Sequence, residues 1–283
     1  GTPQAYTVEG TVMEVVLTNP IMPGTSTTFK LEWDAQVPLQ IRRNGRDNAE
    51  GIEYSMAQWY PKMAEYDYQG WHADPYVGRE FYHIWSDFDV KITIDRNYVI
   101  GGTGYLQNPE EIGYGYGPEP EKRTKKITYH FKAPKVGDFM WAADPNYRHT
   151  SLKRADGMTM NFFYQEGEKT STNWENLPKV LDEAFDFINA HYGQYPYEQY
   201  SFIQGGDGGM EYAMLTLITG GRNYSSLFGV TAHELAHSWF QHVLATNETK
   251  HEWMDEGFTS FISSLAENEI LNQNKDFPLE GSY

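Results

Sequence analysis

Thr231-Ala232-His233-Glu234-Leu235-Ala236-His237-Ser238-Trp239-Phe240 is the stretch from which this chain is best read. Residues four apart on an α-helix lie one above the other on the same face, so His233 and His237 can offer two imidazole nitrogens to one cation. Glu234 is rotated by about 100° from His233 on a helix of 3.6 residues per turn. That sets it beside such a cation without ligating it, within reach of an attacking water. Leu235, Ala236, Trp239, Phe240 and Val243 supply the apolar side of a helix predicted near Val230–Val243.

A catalytic zinc site needs a third protein ligand and an open position. Trp253-Met254-Asp255-Glu256-Gly257-Phe258 supplies a carboxylate in Glu256, separated from His237 by eighteen residues, which is room to end one helix, turn and bring a second back across it. That second helix is expected over Glu252–Leu271, with Phe258, Phe261, Ile262 and Leu265 as its apolar stripe. The expected site is one Zn²⁺ per chain held by His233, His237 and Glu256, with Glu234 as the proton-transferring base. Upstream, Gly208-Gly209-Met210-Glu211-Tyr212 places consecutive glycines where a substrate backbone can approach an extended segment closely, followed by a carboxylate able to pair with a substrate α-ammonium.

These two motifs together resemble the aminopeptidase N family of zinc metallopeptidases. In that family H-E-x-x-H is followed after eighteen residues by Glu, and a G-x-M-E-N motif lies on the edge strand of the catalytic sheet. The resemblance implies an aminopeptidase acting on peptides with a free N-terminus. His233, His237 and Glu256 would hold zinc, Glu234 would be catalytic, and Gly208, Gly209, Met210 and Glu211 would bind substrate. Ala57-Gln58-Trp59-Tyr60-Pro61 is similar to a family segment that reaches into the site with a Gln, which adds Gln58 to the substrate contacts. Tyr212 stands where the family has Asn, and Tyr60 where it often has a second acidic or amide residue. The family's oxyanion-stabilising tyrosine lies well beyond the third ligand, and it is not carried over to Tyr283, the Tyr among the 27 residues after Glu256. The chain therefore reads as part of a longer pattern, with weak or absent turnover expected of this stretch alone. Two other readings stay open: an endopeptidase of thermolysin type, which shares the zinc motif but has no need of Gly-Gly-Met-Glu, and a non-catalytic zinc-binding scaffold, which would be expected to lose a ligand or the base.

Outside these motifs the first half reads as β. Period-two alternation marks Thr28–Trp33, Phe88–Ile94 and Ile127–Phe131 as strands with one buried face, as in an antiparallel sandwich or saddle-shaped sheet. After a possible strand at Met158–Gln165 the period becomes helical, through Leu177, Leu181, Ala184, Phe185 and Ile188, with Asn176 the expected N-cap because Pro178 belongs in a first turn. Tyr200–Ile203 and Ala213–Ile218 read as further strands. The fold class is β plus α/β. Residues 1–149 are expected to form part of an N-terminal β domain, and residues 150–283 part of a thermolysin-like α+β catalytic domain.

The 283 residues include 22 Lys plus Arg against 39 Asp plus Glu, a net charge of −17, and no Cys. Nucleic acid and anionic membrane surfaces need a cationic face, so neither is an expected partner. Thiolate ligands, a Cys nucleophile and disulfides are excluded, which leaves His, Asp and Glu to hold any metal. No apolar run of 18 residues appears, so no membrane-spanning segment is expected. Acidity and lack of Cys lean towards a periplasmic or secreted setting. The 21 Tyr, 15 Phe and 8 Trp read as core filling of large β units rather than as a sugar-binding surface.

Overall fold

The structure is a computed structural model and describes residues 1–75, 81–121 and 124–271; Tyr283 lies outside them. The chain begins with β1 (Ala5–Glu9), β2 (Val12–Val16), β3 (Asn44–Arg46), β4 (Tyr54–Met56), β5 (Glu65–Asp67) and β6 (Gly70–His72). Next come β7 (Ser86–Asp95), β8 (Val99–Gly102), β9 (Tyr105–Leu106), α1 (Pro109–Ile112), β10 (Lys126–Val136) and β11 (Trp141–Asp144). The remainder is β12 (Tyr147–Lys153), β13 (Thr159–Gln165), α2 (Ser171–Tyr192), β14 (Gln199–Gln204), β15 (Gly209–Tyr212), β16 (Leu215–Ile218), α3 (Tyr224–His237), α4 (Glu248–Glu252) and α5 (Phe258–Ile270). One π-helical turn, Ser238–His242, follows α3, and another, Trp253–Gly257, joins α4 to α5.

Mixed sheets with few helices make this a β plus α structure. Early strands pair antiparallel in two short hairpins, a three-stranded sheet ordered β7-β10-β9 and a four-stranded sheet ordered β3-β4-β11-β8. The long alternating strands β7 and β10 are where the sequence period places them. Ile92, Ile127, Tyr129 and Phe131 share one apolar core with Met56, Ile100 and Trp141 of the four-stranded sheet. Thr28–Trp33 forms no strand: Phe29, Leu31 and Trp33 alternate correctly but stay 43–47% exposed. Alternation alone does not make a strand; a hydrogen-bonded neighbour and a surface to bury against are needed.

A mixed sheet ordered β12-β13-β14-β16-β15 carries the later elements. β13 to β14 and β14 to β16 are parallel, and the first of these pairs is joined through α2, as a parallel crossover requires. Both faces of this sheet are covered. Phe162, Tyr200 and Phe202 face α2 and α3, whereas Phe163, Ile203 and Leu217 face Val99, Met140 and Ala142 of the early strands. All six residues of β14 are accordingly buried.

The N-terminus of α2 corrects the capping expectation. The helix starts at Ser171 after Thr170, and Pro178 lies in its interior. Asn176 does not cap; its Nδ2 donates to Thr172 O at 2.8 Å. An interior proline costs about 3 kcal/mol through a lost hydrogen bond and a clash, and the fully buried Leu177, Leu181 and Phe185, worth about 1.5–3 kcal/mol each, offset it. The extra turn has a use. Trp174 Nε1 donates to Gly220 O at 3.2 Å and Asn173 Nδ2 to Arg222 O at 2.8 Å, which fixes the loop ahead of α3.

At Gly101 the two sheets approach closely. A Cβ there would lie 2.5 Å from Ile203 Cδ1 and 2.8 Å from Phe163 Cδ2. Gly101→Ala should therefore destabilise by about 1–3 kcal/mol, as overpacking does. Thermal unfolding would read this, and an unchanged melting temperature would contradict the close contact.

Candidate metal centre

α3 is opened by Asn223, whose side chain accepts from Ser226 N at 2.9 Å. This cap starts the helix six residues before the expected Val230. His233 and His237 then fall on one face, a turn apart, with their Nε2 atoms 3.2 Å from each other. Glu256 belongs to the π-helical turn before α5, and its Oε2 lies 3.3 Å from His233 Nε2 and 3.8 Å from His237 Nε2. Zinc bonds of about 2.0–2.1 Å in a tetrahedron put ligand atoms roughly 3.4 Å apart, so these three residues fit such an ion.

Two further groups orient His237. Asp255 Oδ1 pairs with its Nδ1, and the Thr259 hydroxyl lies 3.3 Å from that same atom. Consecutive residues thus take two tasks: Asp255 meets the far nitrogen of the ring, and Glu256 the near one. A carboxylate on the outer nitrogen of a ligating His fixes the tautomer and raises ligand basicity. Asp255 and Thr259 escaped sequence reading. The signal available was an acidic residue directly before the third ligand, whose direction only the π-helical turn defines.

Four carboxylates surround the histidines. His237 is fully buried, with Glu211 Oε2 4.0 Å from its Nε2. Burial pulls its imidazole down, but Glu211, Asp255 and Glu234 more than reverse this and hold its pKa well above the usual histidine value. An environment that favours a proton there also favours a divalent cation in its place. Burial, assisted by Glu256, raises the carboxyl of Glu234 despite the opposing pull of both histidines and of Glu211. The hydrogen bond from His233 lowers Glu256.

β15 is the edge strand of its sheet, as its motif implied, and lies beside α3. Gly208 has φ +89 and exchanges bonds with Thr219, donating to Oγ1 at 2.8 Å and accepting from its amide at 2.7 Å. Gly209 is pressed by the base: a Cβ would sit 2.3 Å from Glu234 Oε1 and 2.7 Å from Val230 Cγ2. Glu211 is 6% exposed and turns towards His237, while Met210 packs into the core between the sheets. Gln58, on left-handed backbone with φ +46, lies beside the Tyr212 hydroxyl, so the early strands do reach this end of β15. Tyr60 points elsewhere, donating to Asp138 Oδ1 at 2.8 Å.

Behind Glu211 is a small cavity that no motif announced, lined in part by His83, Asp138, Gln241, His242 and Glu248. Burial pushes His83 down to about 3 and holds His242 well below the usual histidine value, so both are neutral. The buried face of α5 also differs from the expected stripe. It consists of Thr259, Ile262, Ser263 and Ala266, while Phe258 and Phe261 remain 41% and 43% exposed. Small residues let α5 close on α3, and this closeness brings Thr259 to His237.

Two outcomes follow from this geometry. Asp255→Asn should weaken zinc affinity by roughly 10- to 100-fold, read by competition with a chelating dye; unchanged affinity would remove Asp255 from the site. Gly209→Ala should displace Glu234 and Val230 and destabilise by about 1–3 kcal/mol, as overpacking does. An unchanged melting temperature would contradict the seating of Glu234 on Gly209.

Residues 178–280 match the Peptidase family M1 domain. The chain is similar to glutamyl aminopeptidase of Rattus norvegicus, 25% identical over 137 residues that cover 43% of this chain and 14% of the relative. It is also similar to glutamyl aminopeptidase of Mus musculus, 24% identical over 157 residues covering 51% and 17%, and to leucine aminopeptidase 2 of Chaetomium globosum, 25% identical over 195 residues covering 62% and 28%. The matched stretches span less than a third of each relative.

Proposed function

We propose that this chain is a member of the aminopeptidase N family of M1 metallopeptidases and carries the site of a zinc-dependent aminopeptidase that removes first residues from peptides. One observation carries the reading: His233, His237 and Glu256 converge within ligand distance of one another, with Glu234 and Glu211 on the side of the edge strand. His233, His237 and Glu256 would hold the metal. When bound, zinc supplies a Lewis acid for the scissile carbonyl and lowers the pKa of water to about 7.

The chain's own residues do the rest. Glu234, whose carboxyl is raised by burial, takes the proton of the attacking water and returns it to the leaving amine. Glu211 receives the α-ammonium of the peptide, so the scissile bond that reaches Glu234 is the first one. β15 pairs with β16 on one side, and its other edge, beginning at Gly208 and Gly209, serves an extended substrate by strand addition. Met210 supports this edge from the core. Gln58 closes the amine end beside Tyr212.

The five-stranded mixed sheet with α2, α3 and α5 supports reading residues 150–283 as part of a thermolysin-like catalytic unit, and the antiparallel strands before it support a β unit over 1–149. The Gly208-Gly209-Met210-Glu211 segment on the edge strand favours an exopeptidase over the thermolysin-type endopeptidase, which has no need of it.

Glu234→Gln should retain zinc and lose about 10²- to 10⁴-fold in hydrolysis of aminoacyl amides, the range of general-base contributions, and acetylation of the substrate amine should abolish cleavage by the unaltered chain. Equal cleavage of free and acetylated peptides would sink the aminopeptidase reading and favour the endopeptidase.

A further inference from the structure

The cavity behind Glu211 is walled by both halves of the chain. Met210 and Glu211 of β15 form one side, His83 comes from the early half, and Gln241 and His242 belong to the π-helical turn after α3. The halves also meet there directly, through Trp85 Nε1, which donates to His242 O at 2.8 Å.

His83, Gln241 and His242 are each more than nine-tenths buried. Among the described residues no protein group bonds to His83 Nδ1, to Gln241 Oε1 or to either ring nitrogen of His242. Gln241 spends its amide group on Glu248 Oε1, which leaves its carbonyl oxygen over. The opposite edge of the His83 ring rests on Gly137, where a Cβ would be 1.8 Å from Cδ2 and 2.0 Å from Nε2, so Nδ1 is turned away from that backbone. A buried polar atom left without a partner costs about 1–3 kcal/mol. Several of them around one cavity call for a partner inside it.

The size and chemistry of that partner are bounded. The two imidazole rings lie 6.5 Å apart between centroids, beyond the roughly 5.2 Å within which one ring N–H reaches the other's nitrogen directly. Two hydrogen bonds of about 2.9 Å that meet at one oxygen near the tetrahedral angle put such centroids roughly 6.6 Å apart. The cavity offers ≈ 10 Å³ to the centre of a water-sized sphere, about what one molecule requires. A neutral imidazole has one N–H and one lone pair, whereas water has two donors and two acceptors. One water can therefore accept from one ring, donate to the other and donate to Gln241 Oε1.

We propose that this cavity is a binding site for one water molecule shared by His83, His242 and Gln241, and that the two histidines are positioning residues that act through it. The water ties the His83 loop to the π-helical turn across the back of β15, and this tie holds Glu211 in place. The positioning role rests on the aminopeptidase reading, in which Glu211 takes the α-ammonium; the water site does not.

A crystal structure of the zinc-loaded chain, at a resolution that defines waters, tests the site. One density peak is expected within about 3.2 Å of His83 Nδ1, Gln241 Oε1 and a ring nitrogen of His242, without anomalous signal at the zinc edge. An empty cavity, or a second metal in it, overturns the proposal. Calorimetric titration then compares alanine hydroxamate with propionohydroxamate, which lacks the amine but keeps the group that grips the zinc. His83→Leu should weaken the amine-bearing ligand by about tenfold, through a loosened charge-assisted bond to Glu211, and the other by less than about twofold. His83→Asn, which keeps a polar atom near the place of Nδ1, should restore most of the loss. Equal weakening of both ligands, or no recovery with Asn, overturns the positioning role. If the protein with His83 intact binds the two ligands alike, the aminopeptidase reading falls and the positioning role with it, while the water site stands or falls by the crystal structure.

Discussion

Around the fully buried His237 lie Glu211, Glu234 and Asp255, at 6%, 6% and 0% exposure. Anionic groups cannot be packed this densely out of water unless positive charge accompanies them. His237 supplies part of it, with Asp255 on one ring nitrogen and Glu211 and Glu256 facing the other. A divalent cation shared with His233 and Glu256 would supply it more completely. The folded arrangement of the later half of the chain is thus bound up with charge balance at one point, and loss of any one partner leaves another buried charge uncompensated.

The surrounding layers have to be rigid for this to hold. α3 is gripped between the edge strand and α5: on one side Gly209 admits the Glu234 carboxylate at a distance no side chain would tolerate, and on the other Thr259, Ile262, Ser263 and Ala266 give α5 a low profile. The first turns of α2 hold the loop before α3 through Trp174 and Asn173. Beneath the sheet, Gly101 lets the early strands close against Ile203 and Phe163, and those same strands carry Gln58 towards β15. The early strands so contribute both packing and a polar group to the site.

Much of the site was legible because its chemistry is written in local spacing. Two histidines one turn apart, a glutamate between them and a second glutamate eighteen residues on need only helical geometry to be understood, and the edge position of β15 followed from the resemblance. Other features depend on packing that no local pattern encodes. Asp255 acquires its direction from a π-helical turn, and His83 and His242, 159 residues apart in the chain, meet behind Glu211. Thr28–Trp33 shows the reverse failure, a correct alternation without a neighbour to pair with. Pro178 was misjudged because burial of Leu177, Leu181 and Phe185 outweighs the local penalty that moved the expected cap to Asn176.

X-ray absorption at the zinc edge of the reconstituted chain addresses the charge-balanced centre itself. Stoichiometric zinc with two imidazoles and carboxylate oxygen in its nearest shell, reduced to one imidazole by His237→Ala, is the predicted result. Zinc that is substoichiometric, or whose shell contains only oxygen and is unaffected by that substitution, would contradict the account.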